Sequence, residues 1–301
     1  MGAKVRVVVV LASVLWLGFA FGQKTEIVWS PEEKPLAEQI HGLRSLPDDV
    51  RAATTKTLAI KIRQLPATEN KLRLAVGLSN LSTEGDFGHD TLQEVATTLA
   101  QTLREHPLPW AETKGDAGAP PTREPASPYV ELASLVRYEH VDASLDDEQY
   151  RAAMARLEAD DRKREHAEFS LKDLTGKTWT FSGLRGKVVV VNFWATWCPP
   201  CRKEMPDLES LYERFAQQGL VILGISDEEA AKVEPFIAQR KVTFPVLLDP
   251  GRKVNEMFVV EGIPKTFVYD RDGKLVAQSI DMRTQGQFLE MLAKAGIGSQ
   301  K

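Results

Sequence analysis

Residues 188–206 read VVVVNFWATWCPPCRKEMP, and this stretch decides the fold of the C-terminal half of the chain. The run Val188–Phe193 is apolar except for Asn192, which predicts a strand that is buried on both faces of a sheet. A helix is predicted to follow, from about Pro200 to Gln218. Cys198 and Cys201 therefore lie between a buried strand and the first turn of a helix.

The rest of this half alternates strands with helices. Further strands are predicted at 179–181, 220–225, 244–248, 266–269 and 275–279, and further helices at 228–240 and 285–295. Asp227, Glu228 and Glu229 predict a helix start rather than a functional site. The pattern is that of an α/β domain with a βαβ unit at its centre.

The N-terminal half has the period of helices instead. Apolar residues recur at three- and four-residue steps from about Ser30 to His106, and helices are again predicted at 129–138 and 146–168. Asp90 is the predicted N-cap of the helix that ends near His106. The proline-rich stretch 107–128 is predicted to be an exposed loop. We therefore divide the chain into an all-α helical domain at 23–166 and an α/β domain at 167–301.

Residues 1–22 have the parts of a secretory signal peptide. A basic start precedes the uncharged run at 7–21, and a small-x-small site follows at Ala20-Phe21-Gly22. As a helix the apolar run would span roughly 22 Å, short of the ~30 Å hydrocarbon core of a bilayer. An uncleaved signal anchor is the alternative, in which this segment would contact the membrane. Both predictions place residues 23–301 outside the cytoplasm.

The composition excludes several classes of function. Apolar residues make up 43% of the chain and charged residues 27%, as in ordinary globular proteins, which argues against a disordered or polytopic membrane protein. The net charge of −4 gives no general basic character for binding nucleic acid. The chain has only 2 cysteines, so a scaffold held by several disulfides is also excluded.

The two cysteines form a Cys-x-x-Cys pair, Cys198-Pro199-Pro200-Cys201, whose position predicts redox chemistry. The helix N-terminus would stabilise a thiolate at Cys198, while Cys201 would sit one turn into the helix and be less exposed. Cys198 would attack a substrate disulfide, and Cys201 would resolve the mixed disulfide. Pro199 and Pro200 would stiffen the first helical turn, where proline is tolerated.

Three other uses of this cysteine pair are disfavoured. A structural zinc site needs about four ligands, but no further cysteine exists and every histidine precedes residue 168, so no metal is expected. A haem attachment motif needs a histidine directly after the second cysteine, where Arg202 stands. A purely structural disulfide that closes so short a loop would contribute little stability.

The stretches 190–206 and 262–267 together resemble the thioredoxin superfamily, and more narrowly the TlpA/ResA-like exported thiol–disulfide oxidoreductases. The resemblance covers about residues 167–301. It implies an α/β thioredoxin-like fold, with a central mixed sheet flanked by helices, which the all-α helical domain precedes. It implies a redox-active Cys198–Cys201 disulfide and no further cofactor, and it identifies Pro206 as the proline that bends the active-site helix.

The resemblance also assigns roles to residues around the dithiol. Pro264 would be the family's cis-proline, leaving the backbone of Ile263 free to pair with a substrate strand; an ordinary turn proline is the alternative. Trp197 would be a lid beside the disulfide that contacts substrate, with plain packing as the alternative. Glu204 would be a partly buried acid–base residue with a raised pKa, rather than an exposed helix glutamate. Asn192 stands where cytoplasmic thioredoxin has a buried Asp.

The leading functional prediction is an enzyme, an extracytoplasmic thiol–disulfide oxidoreductase, periplasmic or membrane-anchored, that reduces protein disulfides. Its candidate substrates include apocytochrome c Cys-x-x-Cys-His segments, which would link it to cytochrome c maturation, and a membrane thiol would donate electrons. A disulfide-forming oxidant is the second candidate, because the sequence does not set the reduction potential. A third, from another class, is a partner-binding helical module with an ancillary redox domain. A peroxidase is disfavoured, because that group needs a Pro-x-x-x-Thr-x-x-Cys environment, whereas Trp194-Ala195-Thr196-Trp197 precedes Cys198 here.

Overall fold

The computed structural model describes residues 27–113 and 122–298, and its first portion is built from helices. We call residues 34–165 the helical part. Its helices are α1 (Lys34–Gly42), α2 (Asp48–Gln64), α3 (Glu69–Ser82), α4 (His89–Glu105), α5 (Ser127–Tyr138) and α6 (Glu148–Glu165). The predicted N-terminal helical region is therefore confirmed.

The apolar stripes of the sequence form the core of the helical part. Leu58 and Ile62 of α2 are fully buried, as are Leu78 of α3, Leu99 of α4 and Leu132 of α5. Burying one such side chain contributes about 1.5–3 kcal/mol. Packing of these faces, more than helix propensity, therefore holds the helices in place.

Helix α4 does not begin as predicted. Its N-cap is Gly88, which has a φ of +75°, a backbone conformation that favours glycine. Asp90 lies inside the first turn instead, where its charge is favourable next to the helix dipole. The N-cap of α6, by contrast, is an acidic side chain: Asp147 accepts hydrogen bonds from the backbone N–H groups of Gln149 and Tyr150.

The proline-rich stretch 107–128 is not wholly a loop. Strands β1 (Ala111–Thr113) and β2 (Thr122–Glu124) pair antiparallel, with Ala111 opposite Glu124. Neither strand contains a proline, so each of their residues keeps the N–H group that pairing requires. The helical part thus carries one small hairpin that the expectation of an all-α domain lacked.

Residues 167–298, which we call the α/β part, contain seven strands and four α-helices, besides two short 3-10 helices at Phe181–Leu184 and Ala216–Gln218. The strands are β3 (Ser170–Lys172), β4 (Thr178–Thr180), β5 (Val188–Phe193), β6 (Leu220–Ser226), β7 (Val246–Leu248), β8 (Lys265–Tyr269) and β9 (Leu275–Gln278). The helices are α7 (Pro199–Phe215), α8 (Ala230–Arg240), α9 (Lys253–Met257) and α10 (Gln285–Lys294). Strands β3 and β4 form a separate hairpin.

The other five strands form one sheet in the order β7-β6-β5-β8-β9. Strand β5 pairs parallel with β6 and antiparallel with β8, and Phe193 at its end lies opposite Lys265. Val188 and Val190 pack into a core with α7 and α10, while Val189 and Val191 pack into a second core with α9. The predicted mixed sheet flanked by helices, with β5 buried on both faces, is confirmed.

Some elements and boundaries differ from the prediction. Strand β3 and helix α9 were not predicted, because they are too short to show a clear hydrophobic period. Strand β7 begins at Val246 rather than at 244, because Pro245 has no N–H group to give to the ladder. Helix α8 begins at Ala230 with Glu229 as its N-cap, which leaves Glu228 outside the helix.

The end of α6 fastens the helical part to the α/β part. The Nε of Arg164 donates a hydrogen bond to the carbonyl oxygen of Phe258 at 2.9 Å, and the hydroxyl of Tyr269 donates to the Arg164 carbonyl at 2.9 Å. The side-chain amide of Gln278 in β9 donates to Asp161 at 2.6 Å. These bonds hold α6 against the sheet beside β9.

The predicted export segment, residues 1–22, lies outside the described residues. Within 27–113 and 122–298, no helix combines the length and the hydropathy that crossing a membrane requires. The longest described helix, α6, has 18 residues and is densely charged.

Candidate active site

The two cysteines meet where β5 has ended and α7 begins. Cys198 and Cys201 form a disulfide with an S–S length of 2.00 Å and a Cα–Cα distance of 5.3 Å. Cys198 is the N-cap of α7, and its Sγ accepts a hydrogen bond from the backbone N–H of Cys201 at 3.2 Å. After reduction, this N–H group and the helix dipole would stabilise negative charge on the Cys198 sulfur.

Exposure does not distinguish the two sulfur-bearing residues. Cys198 is 2% exposed and Cys201 is 1% exposed, which is a small difference for a residue that the sequence places one turn further into the helix. The difference is small because the loop before β8 lies against Cys198: the carbonyl oxygen of Ile263 is 3.8 Å from its Sγ. The feature that does separate the cysteines is the hydrogen bond that only the Cys198 sulfur accepts at the helix N-terminus.

Three prolines of the motif fit the helix that carries them. Pro199 and Pro200 occupy the first two positions of α7, where a backbone N–H has no partner within the helix. Both are exposed, so they form the surface beside the disulfide. Pro206 lies inside α7, where it removes one N–H from the helix ladder.

The loop before β8 is the second element of the site. The Ile263–Pro264 peptide bond is cis, and Pro264 is buried. Because Lys265 pairs with Phe193 across β8 and β5, this loop lies beside the end of the strand that leads to the cysteines. Trp197, directly before Cys198, is 66% exposed and presents a large apolar surface to solvent at the site.

Glu204 lies on the inner side of α7 and is 2% exposed. Its Oε1 accepts a hydrogen bond from the Asn192 side-chain amide at 2.8 Å, and its Oε2 accepts one from the backbone N–H of Arg283 at 3.2 Å. The same amide nitrogen of Asn192 donates to the Thr266 hydroxyl at 3.0 Å. Glu204 is therefore a buried, doubly hydrogen-bonded carboxyl and not an exposed helix residue.

Burial raises the pKa of Glu204 from its ordinary 4.5 to about 8. The hydrogen bonds from Arg283 and Asn192 and the positive charge of Arg283 oppose this rise, while the negative charge of Asp207 adds to it. Loss of hydration outweighs the opposing interactions because it penalises the charged form throughout the buried side chain. Near neutral pH, the carboxyl can therefore both take up and release a proton.

Sequence reasoning missed two residues that hold the site together. Thr196 lies two residues before Cys198. Its backbone N–H and its hydroxyl donate hydrogen bonds to the Glu228 carboxylate, at 2.6 Å and 2.9 Å. The position of Glu228 just past the end of β6, which is parallel to β5, was the available signal, because carboxyl ends of parallel strands meet at one sheet edge. Arg283, in the segment between β9 and α10, gave no such signal.

The histidines and carboxylates of the described residues do not add a metal centre. No group of three or more His, Cys, Asp or Glu side chains within 27–113 and 122–298 is placed to hold a metal ion. The groups that the site offers for chemistry are the disulfide, the carboxyl of Glu204 and the backbone of Ile263.

Part of the chain is similar in sequence to known thiol-disulfide oxidoreductases. Residues 163–278 match the model of the AhpC/TSA family. The thiol-disulfide oxidoreductase ResA of Bacillus thuringiensis is 39% identical over 132 residues, which are 44% of this chain and 76% of the relative. ResA of Bacillus subtilis is 38% identical over 128 residues, or 42% and 72% of the two chains. The crystal structure of StoA from Bacillus subtilis aligns with a TM-score of 0.38 and 28% identity over 42% of this chain and 96% of that one.

Proposed function

Because this chain belongs to the ResA-like thiol–disulfide oxidoreductases of the thioredoxin superfamily, we propose that it reduces protein disulfides outside the cytoplasm. Cys198 is the attacking residue and Cys201 the resolving residue. The observation that carries this assignment is the hydrogen bond from the Cys201 N–H to the Cys198 sulfur at the start of α7, which favours the thiolate at Cys198.

The reaction has two exchange steps. In the first, the Cys198 thiolate attacks one sulfur of the substrate disulfide, so that a mixed disulfide forms and the other substrate sulfur leaves as a thiolate. In the second, the Cys201 thiol gives its proton to the Glu204 carboxylate and attacks the Cys198 sulfur. The second substrate thiolate leaves, and the Cys198–Cys201 disulfide closes. Two electrons pass from the protein to the substrate, and the two substrate thiolates take up protons.

Substrate binding rests on the loop before β8 and on Trp197. The Ile263 carbonyl lies 3.8 Å from the Cys198 sulfur, so an extended substrate segment that paired with the Ile263 backbone would lie next to the reacting sulfur. Pro264 shapes this edge and itself offers no N–H. The exposed ring of Trp197 provides apolar contact area beside it.

The proposed partners follow from the same chemistry. The substrates are protein disulfides, with Cys-x-x-Cys-His segments of apocytochrome c as the candidate to test first. No cofactor is required, because a thiol of a membrane protein would reduce the Cys198–Cys201 disulfide after each turnover.

The direction of the reaction is tested by the reduction potential. We expect the Cys198–Cys201 pair, equilibrated with glutathione buffers, to have a potential more negative than about −200 mV, in the range of reducing members of the superfamily. The full-length reduced protein should also reduce an oxidised Cys-x-x-Cys-His peptide. A potential near −120 mV would instead indicate the disulfide-forming oxidant. No exchange at all with peptide or protein disulfides would favour a binding protein with an ancillary redox part.

Export is tested by the N-terminus of the mature protein. We expect the protein isolated from cells to begin at or near Gln23, or to keep residues 1–22 as a single membrane anchor. N-terminal sequencing by mass spectrometry after cell fractionation distinguishes these forms. Full-length protein found soluble in the cytoplasm would contradict the proposed location.

A further inference from the structure

An ion pair joins the helical part to the segment that contacts Glu204. The guanidinium of Arg283 donates hydrogen bonds to both carboxylate oxygens of Glu139, the residue that follows α5. The side chains of Arg283 and Glu139 are only 5% and 10% exposed. Solvent therefore screens this pair far less than it screens the exposed ion pair that Lys203 of α7 makes with Asp48 of α2.

Arg283 makes a second contact, on the other side of its backbone. Its N–H donates to Oε2 of Glu204 at 3.2 Å. One residue thus links Glu139 in the helical part with the buried carboxyl of the candidate active site. The position of that N–H depends on where the Arg283 side chain is held, and Glu139 holds it.

The charges around these groups set the sign of the coupling. Glu204 is faced by the amide of Asn192 from β5, by Asp207 on its own helix and by Arg283, whose positive charge favours the Glu204 carboxylate. The negative charge of Glu139 offsets that positive charge. Removing Glu139 alone would therefore strengthen the net positive field at Glu204.

Two other ionisable groups, which are partly buried, lie within the influence of Arg283. Burial, with Arg164 and Arg283 nearby, lowers the pKa of Lys265 to about 8. Burial raises the pKa of Asp281 against the opposing charges of Lys265 and Arg283. The charges of Lys265 and Asp281 are opposite in sign. In the described residues, the Glu204 carboxylate accepts its hydrogen bonds from Asn192 and Arg283, and neither Lys265 nor Asp281 donates one to it.

We propose that Glu139 is a positioning residue that, through Arg283, sets the protonation state of Glu204 during disulfide exchange. The inference rests on the proposed function of Glu204 and extends it. The helical part is then a component of the redox machinery, because it supplies the charge that balances Arg283.

The direct test titrates the Glu204 carboxyl in the oxidised protein by ¹³C NMR, with Glu204→Gln used to assign its signal. In Glu139→Gln, the amide oxygen still accepts a hydrogen bond from Arg283, but the negative charge is gone. We expect the Glu204 midpoint to move down by on the order of half a pH unit. Asp48→Asn is the matched control, since it removes one charge from the exposed bridge between the same two parts, and it should leave the midpoint unchanged.

A double variant keeps the test interpretable if the single variant Glu139→Gln does not fold. Removing one partner of a buried ion pair can destabilise a fold strongly, whereas replacing both partners is tolerated better. In Glu139→Gln/Arg283→Gln, both charges are lost, and we expect the Glu204 midpoint to move up, because the nearer positive charge has gone. Opposite shifts in the single and the double variant are the signature of the proposed arrangement.

The pH–rate profile of disulfide exchange then shows whether Glu139 acts through Glu204. Glu139→Gln should shift the wild-type profile in the direction of the NMR midpoint, but it should have no effect in a Glu204→Gln background. The inference is wrong if the Glu204 titrations of the variants superimpose on that of the wild type, or if Asp48→Asn shifts it equally. The NMR titration needs no turnover, so a failure of the proposed function would be seen separately, as absent disulfide exchange in the wild type.

Discussion

Replacing either cysteine by serine abolishes disulfide reduction, but only Cys201→Ser accumulates a covalent complex with its substrate. We expect turnover to fall by on the order of a thousandfold or more in both variants, because a serine hydroxyl cannot take part in thiol–disulfide exchange. Cys201→Ser keeps the sulfur at the N-cap of α7, so it can still form the mixed disulfide. Cys198→Ser removes that sulfur and should trap nothing.

The measurement is a non-reducing gel of the full-length variants incubated with an oxidised protein substrate, followed by mass spectrometry of the slower band. Treatment with dithiothreitol should cleave the mixed disulfide and remove the slower band, which excludes a non-covalent complex. Because the chain has only 2 cysteines, each single variant leaves one thiol, and the site of linkage is unambiguous. A complex formed by Cys198→Ser instead would reverse the two roles, and the buried Cys201 would then be the attacking residue.

Glu204→Gln has the second-largest expected effect, on the pH dependence of both activity and stability. In the wild type, the Glu204 pKa of about 8 should produce a limb of the pH–rate profile near that pH. The variant should lose this limb and be slower by on the order of a hundredfold where the carboxylate accepts the proton of Cys201. Without the nearby carboxylate, the thiols should also ionise at lower pH, and only macroscopic values should be compared.

The stability effect has a definite sign. The folded-state pKa of Glu204, about 8, lies above its ordinary 4.5, so the protonated carboxyl favours the folded state. That contribution is complete below pH 4.5 and is lost as the pH rises through 8. Between these limits the wild type should lose on the order of 4 kcal/mol relative to Glu204→Gln. The variant amide can be accommodated, because Asn192 can flip to accept from it and from Thr266.

Urea unfolding of the oxidised proteins at pH 5, 7 and 9 measures this difference, since the disulfide keeps the thiols from titrating. Glu213→Gln is the matched control, because Glu213 is an exposed residue of the same helix. It should change stability little at any of the three pH values. Parallel stability curves for wild type and Glu204→Gln would show that the buried carboxyl does not carry a raised pKa.

The sequence predicted those parts of the fold in which a local pattern has one physical solution. Five apolar residues in the six positions 188–193, with only Asn192 polar, favour a strand covered on both faces, and the structure buries all six. The predicted start of α4 was wrong because Gly88, whose φ of +75° favours glycine, caps the helix two residues before Asp90. Pro245 moved the start of β7 for a reason that was visible in the sequence.

The residues of the candidate site also fall into those that the sequence predicted and those that it did not. Cys198, Cys201, Pro264 and Glu204 could be proposed because they belong to compact motifs. Arg283 is 79 positions from Glu204 and 144 from Glu139, so only tertiary packing brings the three together. No periodicity or capping rule contains that information, because it depends on how α5 meets the segment between β9 and α10.

Because β5 pairs with β8, the two elements of the candidate site are synthesised at different times. Cys198 and Cys201 leave the ribosome well before Ile263, whose carbonyl lies against the first sulfur in the finished fold. At a synthesis rate of roughly 5–20 residues per second, the two cysteines exist for several seconds before the loop that contains Ile263 is made. Glu139 has been synthesised by then, but Arg283 has not. A chain that stops short of β8 thus carries both cysteines without the loop that lies against Cys198 in the finished fold.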